Sequence, residues 1–152
     1  MPCATDDLDH LIINNDGTVT DFHTGLMWQQ EIGGEMTWKD ALSYCDTLSF
    51  SGYSDWRLPT KEELRSIVDY EESYPPINTT YFPSTIHYYP WSSTTNASYT
   101  SFAWGMSGYD ADDNYEVKSN SNFVRAVRGG QNRLFVSSLN FMEVLKNVEL
   151  FF

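Results

Sequence analysis

Two helix N-caps lie on either side of one short turn, and they constrain the fold more than any other feature of the sequence. Thr37 followed by Asp40, and Thr60 followed by Glu63, each place a capping hydroxyl three residues before an acid. Apolar residues at helical spacing follow both caps. They predict one helix over about Trp38–Leu48 and a second that begins after Thr60, so two helices share a core across the stretch GYSDWRLPTKEEL.

This stretch is predicted to be a structural joint. Asp55 and Arg57 alternate with Trp56 and Leu58, so the charged pair should satisfy backbone groups of the turn while the apolar pair enters the core. We expect Asp55 and Arg57 to form a buried ion pair. A catalytic role is disfavoured because no nucleophile or histidine stands beside them. The residues given a structural role are Cys45, Asp55, Trp56, Arg57 and Thr60.

Composition excludes several classes of function. The formal net charge of −12 repels phosphate and sulfate polymers, so nucleic acid is not expected as a partner. Ten Tyr and five Trp among 152 residues indicate a folded chain of one domain. No apolar run reaches the roughly 18 to 20 residues of a membrane helix. The start MPCATDDLDH has no basic or apolar leader region, so neither a membrane span nor an export signal is expected in the chain as given.

Short strands are predicted near both ends of the chain. Thr18–Asp21 and Gly25–Gln29 flank a turn and should form a terminal hairpin. Tyr89–Thr94 and Ser101–Ser107 are strand-like pieces, and the alternation in Phe123–Arg128 predicts a final strand.

The polar, aromatic segment from residue 71 to 122 is typical of functional loops. By alternation, Trp91, Phe102 and Trp104 are expected in the core. Three tyrosines flanked by small and polar residues are expected on the surface, where Tyr often makes contacts, and neighbouring acids and an amide would add hydrogen bonds. The predicted ligand-binding residues are Tyr99, Tyr109, Asp110, Asp112, Asp113, Asn114 and Tyr115.

No metal site or cofactor is predicted. The carboxylates between Asp110 and Glu116 could bind a hard cation, but a solvated acidic loop is the favoured interpretation. His10, His23 and His87 have no partner at metal-ligand spacing.

Five motifs in a fixed order resemble a known bacterial domain family. They are DGTVTDFHTGLMWQ, TWKDALSYCDTL, GYSDWRLPTKEEL, YPWSST and VRAVRGGQ, within about residues 16 to 131. The family is named after the C-terminal domain of a collagen-like adhesin. The resemblance implies an α+β, C-type-lectin-like fold related to formylglycine-generating enzymes, with a terminal β-hairpin, two helices and a second small antiparallel sheet bearing long loops. We expect this domain over residues 14–131, then a helical extension over residues 132–152 that docks on the domain or on another copy.

The cysteines depart from the family pattern. Similar sequences often have a cysteine where Ala126 stands here, able to bridge to the cysteine of the first helix, which is Cys45. That bridge cannot form in this chain. Cys45 is therefore either free or paired with Cys3.

The resemblance implies a non-catalytic binding module that is extracellular, periplasmic or on the cell surface. The family includes an adhesin domain that binds sulfated polysaccharide, but the charge of −12 opposes that ligand. A neutral or cationic glycan or protein partner is expected instead. The sugar-binding motifs EPN, QPD and WND are absent. Two alternatives stay open: a formylglycine-generating type of enzyme, disfavoured because no cysteine follows Cys45, and a diversified display protein of a diversity-generating retroelement.

Overall fold

A computed structural model describes residues 10–72, 76–83, 89–107 and 112–130. These residues form two helices and three small antiparallel sheets, so the mixed α+β class is confirmed, while the lectin-like fold stays a prediction. The predicted extension over residues 132–152 lies outside the described residues. The elements are β1 (Leu11–Ile13), β2 (Thr18–Asp21), β3 (Leu26–Gln29), β4 (Glu35–Met36), α1 (Trp38–Thr47), α2 (Lys61–Arg65), β5 (Trp91–Thr95), β6 (Phe102–Met106), β7 (Asp113–Val117), β8 (Asn122–Phe123) and β9 (Val127–Gly129).

Both predicted helices begin at their predicted caps. The Thr37 hydroxyl accepts the Asp40 N–H at 3.3 Å. At α2 the Thr60 hydroxyl accepts the Glu63 N–H, and the Glu63 carboxylate accepts the Thr60 N–H at 2.8 Å, which completes a capping box. Helix α2 ends after five residues at the cap Ser66, whose hydroxyl donates to the Glu63 carbonyl at 2.6 Å. The apolar residues Ile67 and Val68, which follow Leu64 at helical spacing, nevertheless stay buried beyond the end of the helix.

The terminal hairpin forms as predicted from β2 and β3, and two further strands join it. Strand β1, which the sequence did not indicate, pairs with β2, and β9 pairs with β3 in the order β1-β2-β3-β9. The predicted strand over Phe123–Arg128 is wrong as one element, because it divides into β8 and β9, which belong to different sheets. Between them, buried Arg125 donates to the Gln29 carbonyl at 2.7 Å, which ties this segment to the end of β3.

The core consists of two main clusters of buried side chains. The first lies between the β1-β2-β3-β9 sheet and α2 and includes Trp28, Leu64 and Phe82. The second lies between α1 and the three-stranded sheet β5-β6-β7. It contains Trp56 and Leu58, as predicted. The complete second cluster is Ala41, Cys45, Trp56, Leu58, Trp91, Ala103, Val124 and Ala126.

The predicted ion pair between Asp55 and Arg57 is wrong, because each residue has a different partner. Arg57 binds Glu63 through two parallel hydrogen bonds of 2.7 Å and donates to the Gly129 carbonyl at 2.8 Å. Asp55 instead accepts from Arg128 Nε at 2.7 Å. The Arg128 hydrogen bond lowers the pKa of Asp55. The joint is therefore held by two separate pairs that reach α2 and β9.

Backbone pairing explains this exchange of partners. Arg57 exchanges backbone hydrogen bonds of 2.8 and 2.9 Å with Val127. This bridge lays the joint against β9, so Arg128 comes within reach of Asp55. The capping acid Glu63 lies close enough to take the Arg57 guanidinium, whose fork matches a carboxylate. The joint therefore contains the pairs Arg57–Glu63 and Asp55–Arg128, and its structural role stays a prediction.

Cys45 is a free thiol that is fully buried in the second cluster, as expected for a small core residue. Cys3 lies outside the described residues. Burial raises the pKa of Cys45 to about 12, and the nearby charge of Asp46 adds to the rise. Because the thiolate is the reactive form, this thiol is expected to be inert in the folded domain.

In a Cys3→Ser variant at pH 8, we expect Cys45 to react with iodoacetamide about a thousandfold more slowly in the folded protein than in urea. The reason is that burial raises the pKa of Cys45 from 9.0 to about 12, which leaves about a thousandth of the thiolate present in the unfolded chain. Mass spectrometry over time measures the two rates, and a Cys45→Ser background removes the signal. Similar rates with and without urea would contradict the burial of this thiol.

Candidate functional site

The β5-β6-β7 sheet carries the candidate site, and its register decides which side chains share a face. Strand β6 pairs with β7 over five residues, with Phe102 opposite Val117, Trp104 opposite Tyr115, and Gly105 opposite Asn114. Directly opposed residues of antiparallel strands point to the same side. The aromatic residues Phe102, Trp104 and Tyr115 therefore share one face of the sheet, named here the outer face. The other face, the inner face, carries Ala103, Gly105, Asn114 and Glu116.

Four aromatic rings form a continuous surface on the outer face, which we call the aromatic strip. Its members in order are Tyr99, Phe102, Tyr115 and Trp104. Successive ring centroids are 6.0, 5.6 and 5.4 Å apart, and each pair is arranged edge to face. Tyr99 is 59% exposed and Tyr115 46% exposed, while the other two rings are half-buried. Edge-to-face contacts favour this geometry by about 0.5 to 1.5 kcal/mol a pair, so the rings hold one another in place. Two of the four rings are at the same time exposed to solvent.

One end of the strip is closed by a group of charges. Lys61 of α2 places its ammonium 4.4 Å from the Trp104 ring centroid and 3.3 Å from an Asp113 oxygen. Arg65 binds the same carboxylate through Nε at 2.9 Å and through Nη2. The Asp113 hydrogen bond raises the pKa of Arg65. Two cations thus neutralise Asp113, which holds α2 against β7.

The loop between β5 and β6 fixes the other end of the strip. Asn96 is buried, and its side-chain oxygen accepts the Ser98 and Tyr99 backbone N–H groups at 2.9 and 3.2 Å. This turn holds Tyr99 beside Phe102. It also leaves the hydroxyl-bearing residues Ser98, Thr100 and Ser101 exposed around the tyrosine.

A cleft of about 260 Å³ lies mainly on the inner face of the same sheet and extends to Tyr115 of the strip. A Cβ at Gly105 would stand 2.6 Å from the Pro90 carbonyl oxygen, so only glycine allows this close approach. Glu116 accepts from the Asn120 amide at 2.8 Å. The cleft therefore offers amides and one carboxylate rather than stacked rings. Its lining consists of Tyr89, Pro90, Gly105, Met106, Asn114, Tyr115, Glu116 and Asn122. Tyr115 thus borders both the cleft and the strip, whereas Tyr99 belongs to the strip alone.

The structure divides the predicted ligand-binding residues between the two faces. Tyr99 and Tyr115 are exposed on the strip, and Asp113 is engaged by α2. Asn114 faces the inner side, and Asp112 is exposed just before β7. Tyr109 and Asp110 lie outside the described residues. The roles of these residues toward a ligand stay predictions.

Two members of the strip, and strand β7 beside them, were not predicted from the sequence. Phe102 and Trp104 were expected in the core together with Trp91, but only Trp91 is fully buried. Alternation shows that two residues share a face without showing which face is buried. The small side chains of Ala103 and Gly105 could have indicated the buried face of β6, because small residues allow close packing against the rest of the domain. Residues 113–117, predicted as a loop, form β7 because they pair along β6.

Neither surface presents groups arranged for metal or thiol chemistry. Across the described ranges, no group of three or more His, Cys, Asp or Glu is placed to hold a metal ion. The one described cysteine, Cys45, is buried away from the strip in the second core cluster. What the outer face offers is a stiff apolar surface bordered by hydroxyl groups.

Comparison with known proteins identifies the family. Residues 17–128 match the Lcl C-terminal domain, a segment that includes both helices and the whole aromatic strip. No curated protein matches the chain. None of the helices in the described part is long and apolar enough to cross a membrane. Because the match covers most of the chain, this protein belongs to the Lcl C-terminal domain family, named after the C-terminal domain of the Legionella collagen-like protein.

Proposed function

We propose that this domain is a non-catalytic recognition module of an adhesin-like protein outside the cytoplasm, and that its ligand, a glycan or a protein, lies across the aromatic strip. The observation that carries the proposal is the strip itself. Exposed Tyr99 and Tyr115 continue into half-buried Phe102 and Trp104 without a break. Tyr and Trp provide large contact areas at a low cost in conformational entropy, which favours recognition.

The support of the strip favours binding by a preformed surface. Strand β7 pairs with β6 along its whole length, the Asn96 turn fixes Tyr99, and Asp113 ties the sheet to α2. A surface that is already ordered loses less conformational entropy when a ligand binds.

The alternative of a thiol-dependent enzyme receives no support from Cys45. A nucleophilic cysteine needs an accessible thiolate with a lowered pKa. Burial instead raises the pKa of Cys45 to about 12. The family membership favours an adhesin-like role at the cell surface.

Tyr115→Ala is expected to weaken binding about tenfold, because the few residues that anchor a binding surface, often tyrosines, each cost more than about 1 kcal/mol of binding energy when they are truncated. The measurement is capture of the native cell-surface fraction and of a glycan array by the immobilised domain. The melting temperature should fall by a few degrees, because the change removes two edge-to-face contacts, so binding is measured well below it.

Phe22→Ala is the matched control for this variant. Phe22 is 59% exposed, like Tyr99, but it follows β2 in the terminal hairpin and lies outside the strip. We expect its binding to equal that of the parent. Equal binding by the parent, Tyr115→Ala and Phe22→Ala would place the recognition surface elsewhere.

A further inference from the structure

We infer that the strip binds a neutral oligosaccharide. This inference rests on the proposed function and specifies its ligand. Three observations of the outer face carry it: the balance of charges around the strip, the exposed hydroxyl groups beside Tyr99, and the narrow shape of the apolar surface.

The charges on the outer face are already paired. By the β6-β7 register, the only charged residue of these strands on that face is Asp113, which is neutralised by Lys61 and Arg65. Lys118, just after β7, directs its ammonium to the Thr95 hydroxyl at 3.0 Å and over the Trp38 ring at 4.0 Å. Each of these three basic groups thus already has partners, a sulfate or carboxylate would have to compete with Asp113 for Lys61 and Arg65, and the net charge of −12 repels polyanions.

A cationic ligand gains little from the same surface. The Trp104 ring already has the Lys61 ammonium above it, and Asp113 already has two cations. A lysine or arginine from a partner would therefore give up its hydration without finding an unpaired carboxylate on the β6 and β7 strands of the outer face, residues 102–106 and 113–117. Of the neutral and cationic ligands expected from the acidic sequence, the outer face therefore favours the neutral ones.

The remaining features match a sugar. The apolar C–H face of a pyranose can pack on the ring faces of Tyr99 and Tyr115, which are amphipathic and exposed. Its hydroxyls can bond with Ser98, Thr100 and Ser101 beside Tyr99, which both donate and accept. The loop that carries them is held by the buried Asn96 side chain, so the hydroxyl groups and the ring keep a fixed relation.

The shape of the strip favours a glycan over a folded protein. A stable protein interface buries about 800 Å² on each partner and is built around a broad apolar centre. The strip is confined to β6, β7 and the residue Tyr99, and α2 with its ion pairs closes it at the Trp104 end. A linear chain of a few sugar units fits such a surface.

The test uses the full chain on a glycan array that holds neutral oligosaccharides, their sulfated counterparts and a lysine-rich peptide, at about 50 and 300 mM NaCl. We expect binding to neutral sugars alone, with less than a twofold change between the two salt concentrations, because neutral contacts are not screened. Tyr99→Ala and Tyr115→Ala should each weaken this binding about tenfold, and Phe22→Ala should leave it unchanged.

Each other outcome has a distinct meaning. Binding only to sulfated sugars or only to the lysine-rich peptide, with a steep loss in salt, overturns the inference. Capture of a protein but of no glycan, if it is sensitive to Tyr115→Ala, overturns the inference while the proposed function stands. Binding to neutral sugars that survives both tyrosine variants overturns the strip as the recognition surface and, with it, the proposed function. An array without any bound member overturns the inference.

Discussion

Replacing Arg57 by alanine is expected to lower the free energy of unfolding by about 3 kcal/mol. The Arg57 and Glu63 side chains are 17% and 18% exposed and share two hydrogen bonds of 2.7 Å. Removing the guanidinium leaves a largely buried carboxylate without its cation and the Gly129 carbonyl without its donor. Urea unfolding followed by fluorescence measures the loss.

A pair of double-mutant cycles distinguishes the two possible partners of Arg57. The cycle with Glu63→Gln should give a coupling of more than 1 kcal/mol, since the two side chains contact each other. The cycle with Asp55→Asn should give a coupling near zero, because Asp55 binds Arg128. The corrected pairing would be wrong if the larger coupling appeared with Asp55, or if Arg57→Ala melted within a degree or two of the parent.

The same pair predicts a dependence on pH. Burial by itself raises the pKa of Glu63, but the hydrogen bonds from Arg57 and the Thr60 backbone outweigh it, so the pKa lies below the ordinary value of 4.5. A lowered folded-state pKa gives stability that is complete above the unfolded pKa and is lost as the pH falls through the folded one. The stability difference between the parent and Arg57→Ala should therefore be constant near neutral pH and shrink below about pH 4.5.

Trp91→Ala is expected to cost about 4 to 5 kcal/mol, the largest loss of any single change considered for this domain. Trp91 is fully buried at the start of β5, and its indole N–H donates to the Met36 carbonyl at 2.8 Å. The substitution opens a cavity and leaves that carbonyl without its donor. Trp91→Phe retains most of the volume and should cost about 1 to 2 kcal/mol.

Trp104→Ala is the matched control, because it removes the same side chain from the neighbouring strand. Trp104 is half-buried on the outer face, so its loss should cost only about 1 to 2 kcal/mol. Urea unfolding of the three variants measures the difference. Equal losses for Trp91→Ala and Trp104→Ala would contradict the assignment of the two faces.

Features that depend on neighbours in sequence could be predicted. The caps at Thr37 and Thr60 act within three residues, so both helix starts could be located without knowledge of the fold. The partners of Asp55 and Arg57 could not be located in this way. Their choice depends on the backbone bridge between Arg57 and Val127, which joins parts of the chain that are distant in sequence.

The candidate site was predicted only in part for a similar reason. Local composition correctly indicated that Tyr99 and Tyr115 would be exposed. The other half of the strip depends on which face of β6 meets the core, and a period of two is compatible with either choice. Strand β7 was missed because Asp113 and Asn114 are typical of turns, and only pairing with β6 overrides that preference.

The most direct test of recognition by the strip is an NMR measurement of nuclear Overhauser effects between the full chain and a neutral oligosaccharide selected on the array. We expect contacts from sugar C–H protons to the ring protons of Tyr99, Tyr115 and Trp104. Contacts confined to the inner-face cleft, at Tyr89 and Asn122, would contradict the strip as the recognition surface.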